Sequence, residues 1–211
     1  MPDSISQIQP WKQSYFRYFW SEIAVNEHLI QIYDHKRTFL NTLEGFAGTG
    51  LLAGESVIVI ATQNHLAELN ARLLGQGFDI KRLQKEGRYQ DIDADKLLGA
   101  FMSKDEPDKT SFKKLVGAMY KKAQRGGNKV RAFGEMVALL WEMGNKKATI
   151  ELEQLWNSFM AASPLSLFCA YPRSIFKEKD ELIYKICPCH SKLIAGWPHA
   201  STEVYFRDSV R

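Results

Sequence analysis

Residues 56–62 form an almost uninterrupted aliphatic stretch, Ser-Val-Ile-Val-Ile-Ala-Thr, which constrains the fold more than any other part of the sequence. A strand with one face in water would alternate apolar and polar residues. A continuous run of β-branched residues instead indicates a strand buried on both faces, as in a parallel sheet covered by helices. The run is far shorter than the roughly 20 residues that a membrane-spanning helix needs.

Strand-like and helix-like patterns alternate along the rest of the chain. Strands are predicted at residues 28–33, 56–62, 78–83, 88–92, 129–133 and 165–171. Apolar residues at intervals of three and four predict helices at residues 39–47, 66–74, 97–102, 112–123, 135–142, 148–160 and 179–186, with Asp93 as a cap. The predicted fold is therefore an α/β domain of three layers, a mostly parallel sheet with helices on both faces.

The composition is that of a globular protein. The 211 residues are 45% hydrophobic and 25% charged, which is enough to bury a core without disulfides. The net charge of +4 is small, and the basic stretch at residues 121–129 has no interleaved aromatic residues, so nucleic-acid binding is disfavoured. Three cysteines do not suit a disulfide framework, and the N-terminus has no secretory pattern, so we expect reduced thiols and a cytoplasmic protein.

Residues 1–25 are treated as an aromatic N-terminal extension. Six aromatic residues fall within ten positions: Trp11, Tyr15, Phe16, Tyr18, Phe19 and Trp20. One interpretation is a helix pinned to the domain by its aromatic face. The other is a contact with a second copy or a partner, since aromatic anchors are enriched in interfaces.

Polar residues follow the predicted strands at the edge where open parallel sheets bind ligands. They are Tyr33, Asp34 and His35, then Thr62, Gln63 and Asn64, then Gly134 and Glu135, then Tyr171 and Arg173. The sequence thus predicts a candidate pocket, and it leaves open a solvated sheet edge. Glu135 is open to two interpretations, a cap for the following helix or a polar contact to a ligand or to Arg131.

The motifs of the common nucleotide hydrolases and serine hydrolases are missing. A phosphate loop reads G-x-x-x-x-G-K-[ST], whereas the segment after the first strand has Lys36 and Thr38 but no glycine. The glycines at residues 45–54 are better explained as a helix stop, and no G-x-S-x-G segment is present. We therefore expect neither an enzyme nor a cofactor.

The cysteines do not predict a metal site. Cys187-Pro-Cys189-His190 has C-x-C-H spacing, whereas structural zinc sites usually combine two C-x2-C-type pairs. Cys187, Cys189 and His190 remain the weak candidates for metal ligands. Cys169 lies in mid-strand, where a buried, inert thiol is expected.

Several motifs in a fixed order resemble the MEDS family, the methanogen/methylotroph DcmR sensory domain. In the first half these are residues 28–33 (HLIQIY), 50–55 (GLLAGE), 57–62 (VIVIAT) and His65. In the second half these are residues 130–136 (VRAFGEM), 140–141 (LW), 152–157 (LEQLWN), 167–172 (LFCAYP), Cys187 and 190–191 (HS). The resemblance covers residues 26–192 and leaves residues 193–211 as a C-terminal tail.

This resemblance implies a RecA/KaiC-like fold with a degenerate phosphate loop. It also implies sensing of simple hydrocarbon derivatives for outputs such as histidine kinases or DNA-binding regulators. The positions that match the family's motifs are His28, Tyr33, Glu55, Arg131, Gly134, Glu135, Cys169, Tyr171 and His190. Together with the strand-end rule, this gives the predicted ligand-binding residues: His28, Tyr33, Asp34, Thr62, Arg131, Glu135, Cys169 and Tyr171.

The resulting hypothesis is a cytoplasmic sensory domain that binds a small organic ligand. Tyr33 and Tyr171 would form apolar walls, and Arg131 and Glu135 would make the polar contacts. No kinase, receiver or helix-turn-helix segment is evident, so the signal would pass to a signalling partner or through a homodimer. Three alternatives stay open: an interaction regulator without a small ligand, a nucleotide-binding RecA-like remnant, and an enzyme that uses Cys169 or the pair Cys189 and His190.

Overall fold

The computed structural model describes residues 20–21, 23–175, 186, 189–195 and 203–206. Its strands are β1 (His28–Tyr33), β2 (Ser56–Ala61), β3 (Tyr89–Asp93), β4 (Met102–Ser103), β5 (Glu106–Pro107), β6 (Val130–Gly134), β7 (Ser166–Pro172), β8 (Lys192–Ala195) and β9 (Glu203–Phe206). Its helices are α1 (Lys36–Leu52), α2 (Gln63–Gly75), α3 (Ile80–Lys85), α4 (Ala94–Phe101), α5 (Lys109–Ala123), α6 (Met136–Glu142) and α7 (Lys146–Met160).

Seven of these strands form one sheet in the order β3-β2-β6-β7-β1-β8-β9. The pairs from β3 to β8 are parallel, and only β9 runs antiparallel to its neighbour β8. A separate two-residue hairpin pairs β4 with β5. The predicted mostly parallel sheet is confirmed. No helix in the described part of the chain is long and apolar enough to span a membrane.

Two apolar cores lie on opposite faces of this sheet, and β2 contributes to both. Val57 and Val59 join the core under α1, α2 and α3, whereas Ile58 and Ile60 join the core under α4, α5, α6 and α7. Side chains of a strand alternate between faces, so a strand with a core on each side must be apolar throughout. This is the physical reason for the uninterrupted aliphatic stretch, and it confirms the predicted three layers.

Short polar side chains begin four of the helices. The side chains of Asp79, Asp93, Asp108 and Asn145 each accept a hydrogen bond from a backbone N–H of the first turn. The predicted cap at Asp93 is confirmed. The predicted strand at residues 78–83 is wrong, because Asp79 instead caps α3, whose Ile80 and Leu83 face the core at helical spacing.

The sheet extends beyond the predicted domain boundary at residue 192. β8 pairs in parallel with β1, and β9 pairs with β8, so part of the predicted C-terminal tail is built into the sheet. Residues 192–195 were not recognised as a strand, because they are short and follow no clear alternation. Except for Ile186, the helix predicted at residues 179–186 lies outside the described residues.

Trp20 is the one member of the N-terminal aromatic cluster among the described residues. It is fully buried, and its ring lies 5.3 Å from that of Phe46 and 5.7 Å from that of Phe168. A Cβ atom at Gly45 would lie 2.8 Å from Trp20 Nε1, so the glycine lets the indole approach α1. This residue is therefore pinned to the domain, whereas the other five aromatic residues lie outside the described part.

Replacing Gly45 by alanine should destabilise the fold, because the new methyl group would press on the buried Trp20 indole. The matched control is Gly99→Ala, also in a helix but with open space around it. Relative to this control, we expect Gly45→Ala to lower the free energy of unfolding by roughly 1–3 kcal/mol. Urea denaturation measures both variants, and equal midpoints would contradict the packing of Trp20 on α1.

Candidate functional site

The structure distributes the eight predicted site residues over three places. Four lie at the carboxyl edge of the sheet, one lies near the amino edge, and three lie under the face covered by α4 to α7. The residues at the carboxyl edge are Tyr33, Asp34, Thr62 and Glu135. The residue near the amino edge is Arg131. The residues under the face covered by α4 to α7 are His28, Cys169 and Tyr171. A single crevice lined by all eight does not exist.

Glu135 is the centre of the polar residues at the carboxyl edge. Its buried carboxylate accepts a hydrogen bond of 2.8 Å from the backbone N–H of Thr62, and His65 Nδ1 lies 2.7 Å from its other oxygen. Glu135 occupies the N-cap position of α6, but its side chain makes no capping hydrogen bond. The carboxylate instead connects the end of β6 to the start of α2.

Two further side chains, Tyr33 and Glu142, complete what we call the edge group: Tyr33, Thr62, His65, Glu135 and Glu142. Burial raises the pKa of Tyr33 well above its usual value, and the nearby carboxylates of Glu135 and Glu142 raise it further. Burial also raises the pKa of Glu142, again with help from Glu135. Tyr33 is therefore a protonated phenol, able to donate a hydrogen bond at an acidic edge.

Phe39 provides an apolar surface beside the edge group. Its ring stacks on Tyr33 at 4.8 Å and meets the ring of His65 edge-on at 5.0 Å. The fourth predicted residue at this edge, Asp34, pairs instead with Arg173 at 2.8 Å, at a half-exposed position. Such an exposed pair contributes at most about 1 kcal/mol.

Arg131 lies toward the opposite end of β6 and faces α1. Its guanidinium is buried, hydrogen-bonds Glu55, and lies 5.6 Å from the ring centre of Phe46. Each strand residue advances about 3.3 Å, so the Cα atoms of Arg131 and Glu135 lie roughly 13 Å apart. The two predicted ligand contacts therefore lie near opposite ends of β6. Arg131 instead places a positive charge at the carboxyl end of α1, where the helix dipole favours it.

His28 and Cys169 belong to a buried group that we call the His–Glu–Cys cluster: His28, Glu153, Cys169 and His190. All four residues are at most 4% exposed. His28 Nε2 lies 3.4 Å from Cys169 Sγ and 3.5 Å from Glu153 Oε2, and His190 Nε2 lies 3.5 Å from Glu153 Oε1. The candidate donor atoms of the four side chains all lie within 4.8 Å of one another.

Carbonyl groups fix the orientation of both imidazoles in this cluster. His28 Nδ1 lies 2.9 Å from Asn157 Oδ1 and 3.0 Å from the carbonyl of Cys189, and His190 Nδ1 lies 2.9 Å from the carbonyl of Ile186. Carbonyl oxygens only accept hydrogen bonds, so both Nδ1 atoms carry the proton. The bare Nε2 atoms of both rings therefore face into the cluster.

Burial favours the neutral form of every group in the cluster. It raises the pKa of Glu153 to about 8 and lowers the pKa of His28 to about 4. It also raises the pKa of Cys169 and lowers that of His190. Burial therefore disfavours an ion pair between either histidine and the glutamate. Two imidazole nitrogens, a sulfur and a carboxylate oxygen are also the donor set of a transition metal.

Tyr171 supports the cluster and does not line the carboxyl edge. Its hydroxyl donates a 2.5 Å hydrogen bond to Glu153 Oε1. Tyr33 packs with the core on the other face of the sheet, so the structure does not bring these two predicted pocket walls together. Of the weak metal candidates, His190 joins the cluster, Cys189 contributes its backbone carbonyl to His28, and Cys187 lies outside the described residues.

Sequence reasoning overlooked Glu153, Asn157 and the role of His65. Glu153 lies on the apolar face of α7, next to Leu152 and three residues before Trp156. An acidic residue at core spacing in an amphipathic helix was the available signal, because such a residue is rarely buried without a partner. Nothing in the local sequence of Asn157 or His65 marks the contacts that they make.

Three solved structures share this fold. A KaiC-like protein from Pyrococcus horikoshii has a TM-score of 0.57 at 10% identity, covering 87% of this chain and 81% of its own. The flagellar accessory protein FlaH from Methanocaldococcus jannaschii has 0.57 at 15% identity, covering 86% and 76%. Another Pyrococcus horikoshii protein has 0.59 at 11% identity, covering 93% of each chain. These similarities confirm the RecA/KaiC-like fold and nothing beyond it.

The sequence profile of one family covers most of the chain. It is the methanogen/methylotroph DcmR sensory domain, and it matches residues 27–191. No curated protein matches the chain. The matched range includes every residue of the edge group and of the His–Glu–Cys cluster, and it accounts for the order of motifs along the sequence. The chain therefore belongs to the MEDS family of sensory domains.

Proposed function

We propose that this MEDS domain senses a small organic ligand that binds at the edge group and signals through a partner protein or through self-association. Membership of a sensory-domain family supports a sensory role. The observation that carries the choice of site is the buried Glu135 carboxylate, held by the Thr62 N–H and His65 at the end of β6. Ligands of open parallel sheets bind at this edge.

The chemistry of the edge group favours a hydrogen-bonding ligand without negative charge. Glu135 and Glu142 supply acceptors, and the phenol of Tyr33 and the imidazole of His65 supply polar partners beside the ring of Phe39. A short alcohol fits both features, because its hydroxyl meets the polar groups while its alkyl part lies on the aromatic ring. Two nearby carboxylates repel an anion.

A route for the response starts at the two helices that hold Glu135 and His65. Glu135 is the residue before α6, and His65 lies in the first turn of α2, on the other face of the sheet. A ligand that contacts both residues would favour one relative position of these helices. Binding would then shift the population between two conformations, which is the thermodynamic requirement for a signal.

The alternative of a nucleotide-binding remnant finds little support in the edge geometry. β1 ends at Tyr33 and α1 begins at Lys36, so only Asp34 and His35 connect them. A phosphate-binding loop is longer and needs glycines for its backbone to wrap the phosphates. Lys36, the nearest lysine, pairs at 2.8 Å with Glu68.

A thermal-shift screen should find a ligand whose effect depends on Glu135. Methanol, 1-propanol and dichloromethane serve as probes, and acetate is the anionic comparison. At about 100 times its Kd, a ligand raises the melting temperature by roughly 5–11 °C. Glu135→Gln should abolish the shift in melting temperature. The amide of glutamine replaces one acceptor oxygen of the carboxylate with an NH2 group, which donates hydrogen bonds. Glu86→Gln, an exposed residue paired with Arg82, is the control. A shift of equal size in Glu135→Gln would place the ligand elsewhere.

Tyr33→Phe should weaken the binding of the same alcohol while leaving the fold intact. The ring of Phe can still stack on Phe39, so only the donor at the acidic edge is lost. Loss of one hydrogen bond should raise Kd by roughly 2–12-fold, as measured by calorimetric titration. The control is Tyr120→Phe. It also removes a tyrosine hydroxyl, but this hydroxyl donates a hydrogen bond to a backbone carbonyl outside the edge group. An unchanged Kd in Tyr33→Phe would remove the phenol from the site.

Equilibrium dialysis against magnesium ATP tests the nucleotide alternative directly. We expect no retention of ATP by the chain, because the β1–α1 connection lacks glycine and the edge carries two carboxylates. Saturable retention that Lys36→Ala removes would instead support a nucleotide site after β1.

A further inference from the structure

Four donor groups from separate parts of the chain meet in the His–Glu–Cys cluster. His28 begins β1, Glu153 lies on α7, Cys169 lies in the middle of β7, and His190 lies two residues before β8. Each of the four side chains is buried. His190 Nε2 has no hydrogen-bond partner among the described residues, although it is buried and aimed at Glu153.

Two separations between the donor atoms match those around a tetrahedral metal ion, and the others are longer or involve the second carboxylate oxygen of Glu153. Bonds of about 2.0–2.1 Å to nitrogen or oxygen and about 2.3 Å to sulfur give edges of roughly 3.3–3.6 Å for a site with one sulfur. His28 Nε2 lies 3.4 Å from Cys169 Sγ and 3.5 Å from Glu153 Oε2. Cys169 Sγ lies 3.9 Å from Glu153 Oε2, and His190 Nε2 lies 3.5 Å from Glu153 Oε1. All four donor atoms lie within 4.8 Å of one another.

We propose that His28, Glu153, Cys169 and His190 form a closed site for a divalent first-row transition metal, with zinc as the ion that fits best. The mixed set of nitrogen, sulfur and oxygen donors suits zinc, and hard cations such as magnesium or calcium prefer oxygen alone. Four buried protein donors leave no open position. The site therefore has the character of a structural centre.

The charges of the cluster balance when the ion is bound. Two neutral imidazoles, one thiolate and one carboxylate carry a total charge of about −2, which a divalent ion cancels. The thiol of Cys169 and the carboxyl of Glu153 each release one proton to solvent as their bonds to the metal form. A buried centre without net charge avoids the large cost of placing an uncompensated ion in the interior.

Outer hydrogen bonds orient the ligands as they do in known metal centres. Nδ1 of each histidine donates to a carbonyl oxygen, which directs the bare Nε2 to the ion. The Tyr171 hydroxyl holds Glu153 Oε1 and leaves Oε2 for the metal. Asn157 is a positioning residue, because it contacts both His28 and the carbonyl of Cys189.

Occupancy of the site would tie residues 189–191 to the core. Ser191 is already clamped to the start of β1, where its hydroxyl and its N–H both donate to the carbonyl of His28. A metal bonded to His28 and His190 strengthens this connection just before β8. The centre lies under the face covered by α4 to α7, so it is independent of ligand binding at the edge group.

Metal content and the cobalt spectrum test this proposal. The full chain is purified without chelators from minimal medium supplemented with zinc or with cobalt. We expect about one ion per chain by elemental analysis. The cobalt form should show the visible bands of a tetrahedral ion and a thiolate-to-cobalt charge-transfer band. Removing zinc with a chelator should lower the melting temperature by roughly 8–16 °C, as for a ligand at about 1,000 times its Kd.

Two matched cysteine variants assign the sulfur ligand. Cys169→Ser should lose the charge-transfer band and reduce metal content by about tenfold or more, because it removes a ligand from the ion. Cys189→Ser should keep both, because the contact of Cys189 with His28 comes from its backbone carbonyl. Loss in Cys189→Ser with retention in Cys169→Ser would overturn the proposal.

The wild-type chain and one positioning variant keep the test decisive if Cys169→Ser does not fold. Asn157→Ala should weaken zinc binding by about 10–100-fold, and His35→Ala, an exposed histidine at the start of α1, should leave it unchanged. Circular dichroism verifies folding in each case. A folded wild-type chain that holds neither zinc nor cobalt would overturn the proposal and identify the cluster as a neutral hydrogen-bonded network.

Discussion

Burial of the central strands on both faces is the constraint on which the rest of this structure depends. Every residue of β2 and β6 is buried, and all but the last residues of β1 and β7 are buried too. Each buried Val or Ile side chain contributes about 1.5–3 kcal/mol, and this gain requires helices on both sides of the sheet. The two helical layers and the parallel crossovers follow from that requirement.

A sheet covered on both faces must pair any polar side chain that points into its cores. Arg131 pairs with Glu55 and extends over Phe46 beneath α1. Glu135 turns back to a backbone N–H and to His65 at the carboxyl edge. These two arrangements connect strands to helices, and they place the Arg131–Glu55 pair apart from the carboxyl edge that we propose as the ligand site. In both the fold and the candidate site, a partner thus offsets the free-energy cost of burying a charged side chain.

The His–Glu–Cys cluster is a third way in which this structure pairs buried polar side chains. A carboxyl, a thiol and two imidazoles share one buried space, where hydrogen bonds to carbonyls orient the rings and Tyr171 holds the carboxyl. Without an ion, burial favours the neutral form of each side chain, so the cluster carries no net charge. With the proposed divalent ion bound, the charge of the ion cancels those of the thiolate and the carboxylate. Sensing at the edge and metal binding under the opposite face would then be separate properties of one domain.

Local sequence patterns are enough to predict the alternation of strands and helices, the strand that is buried on both sides and the cap at Asp93. These features depend on neighbours a few residues apart, where periodicity and capping chemistry are visible. The folded arrangement of the sheet is needed to see that Arg131 and Glu135 lie apart, that Tyr33 and Tyr171 face opposite cores, and that His28 meets Cys169, 141 residues later. Such contacts follow from the strand order and from the face to which each side chain points, and local propensity encodes neither.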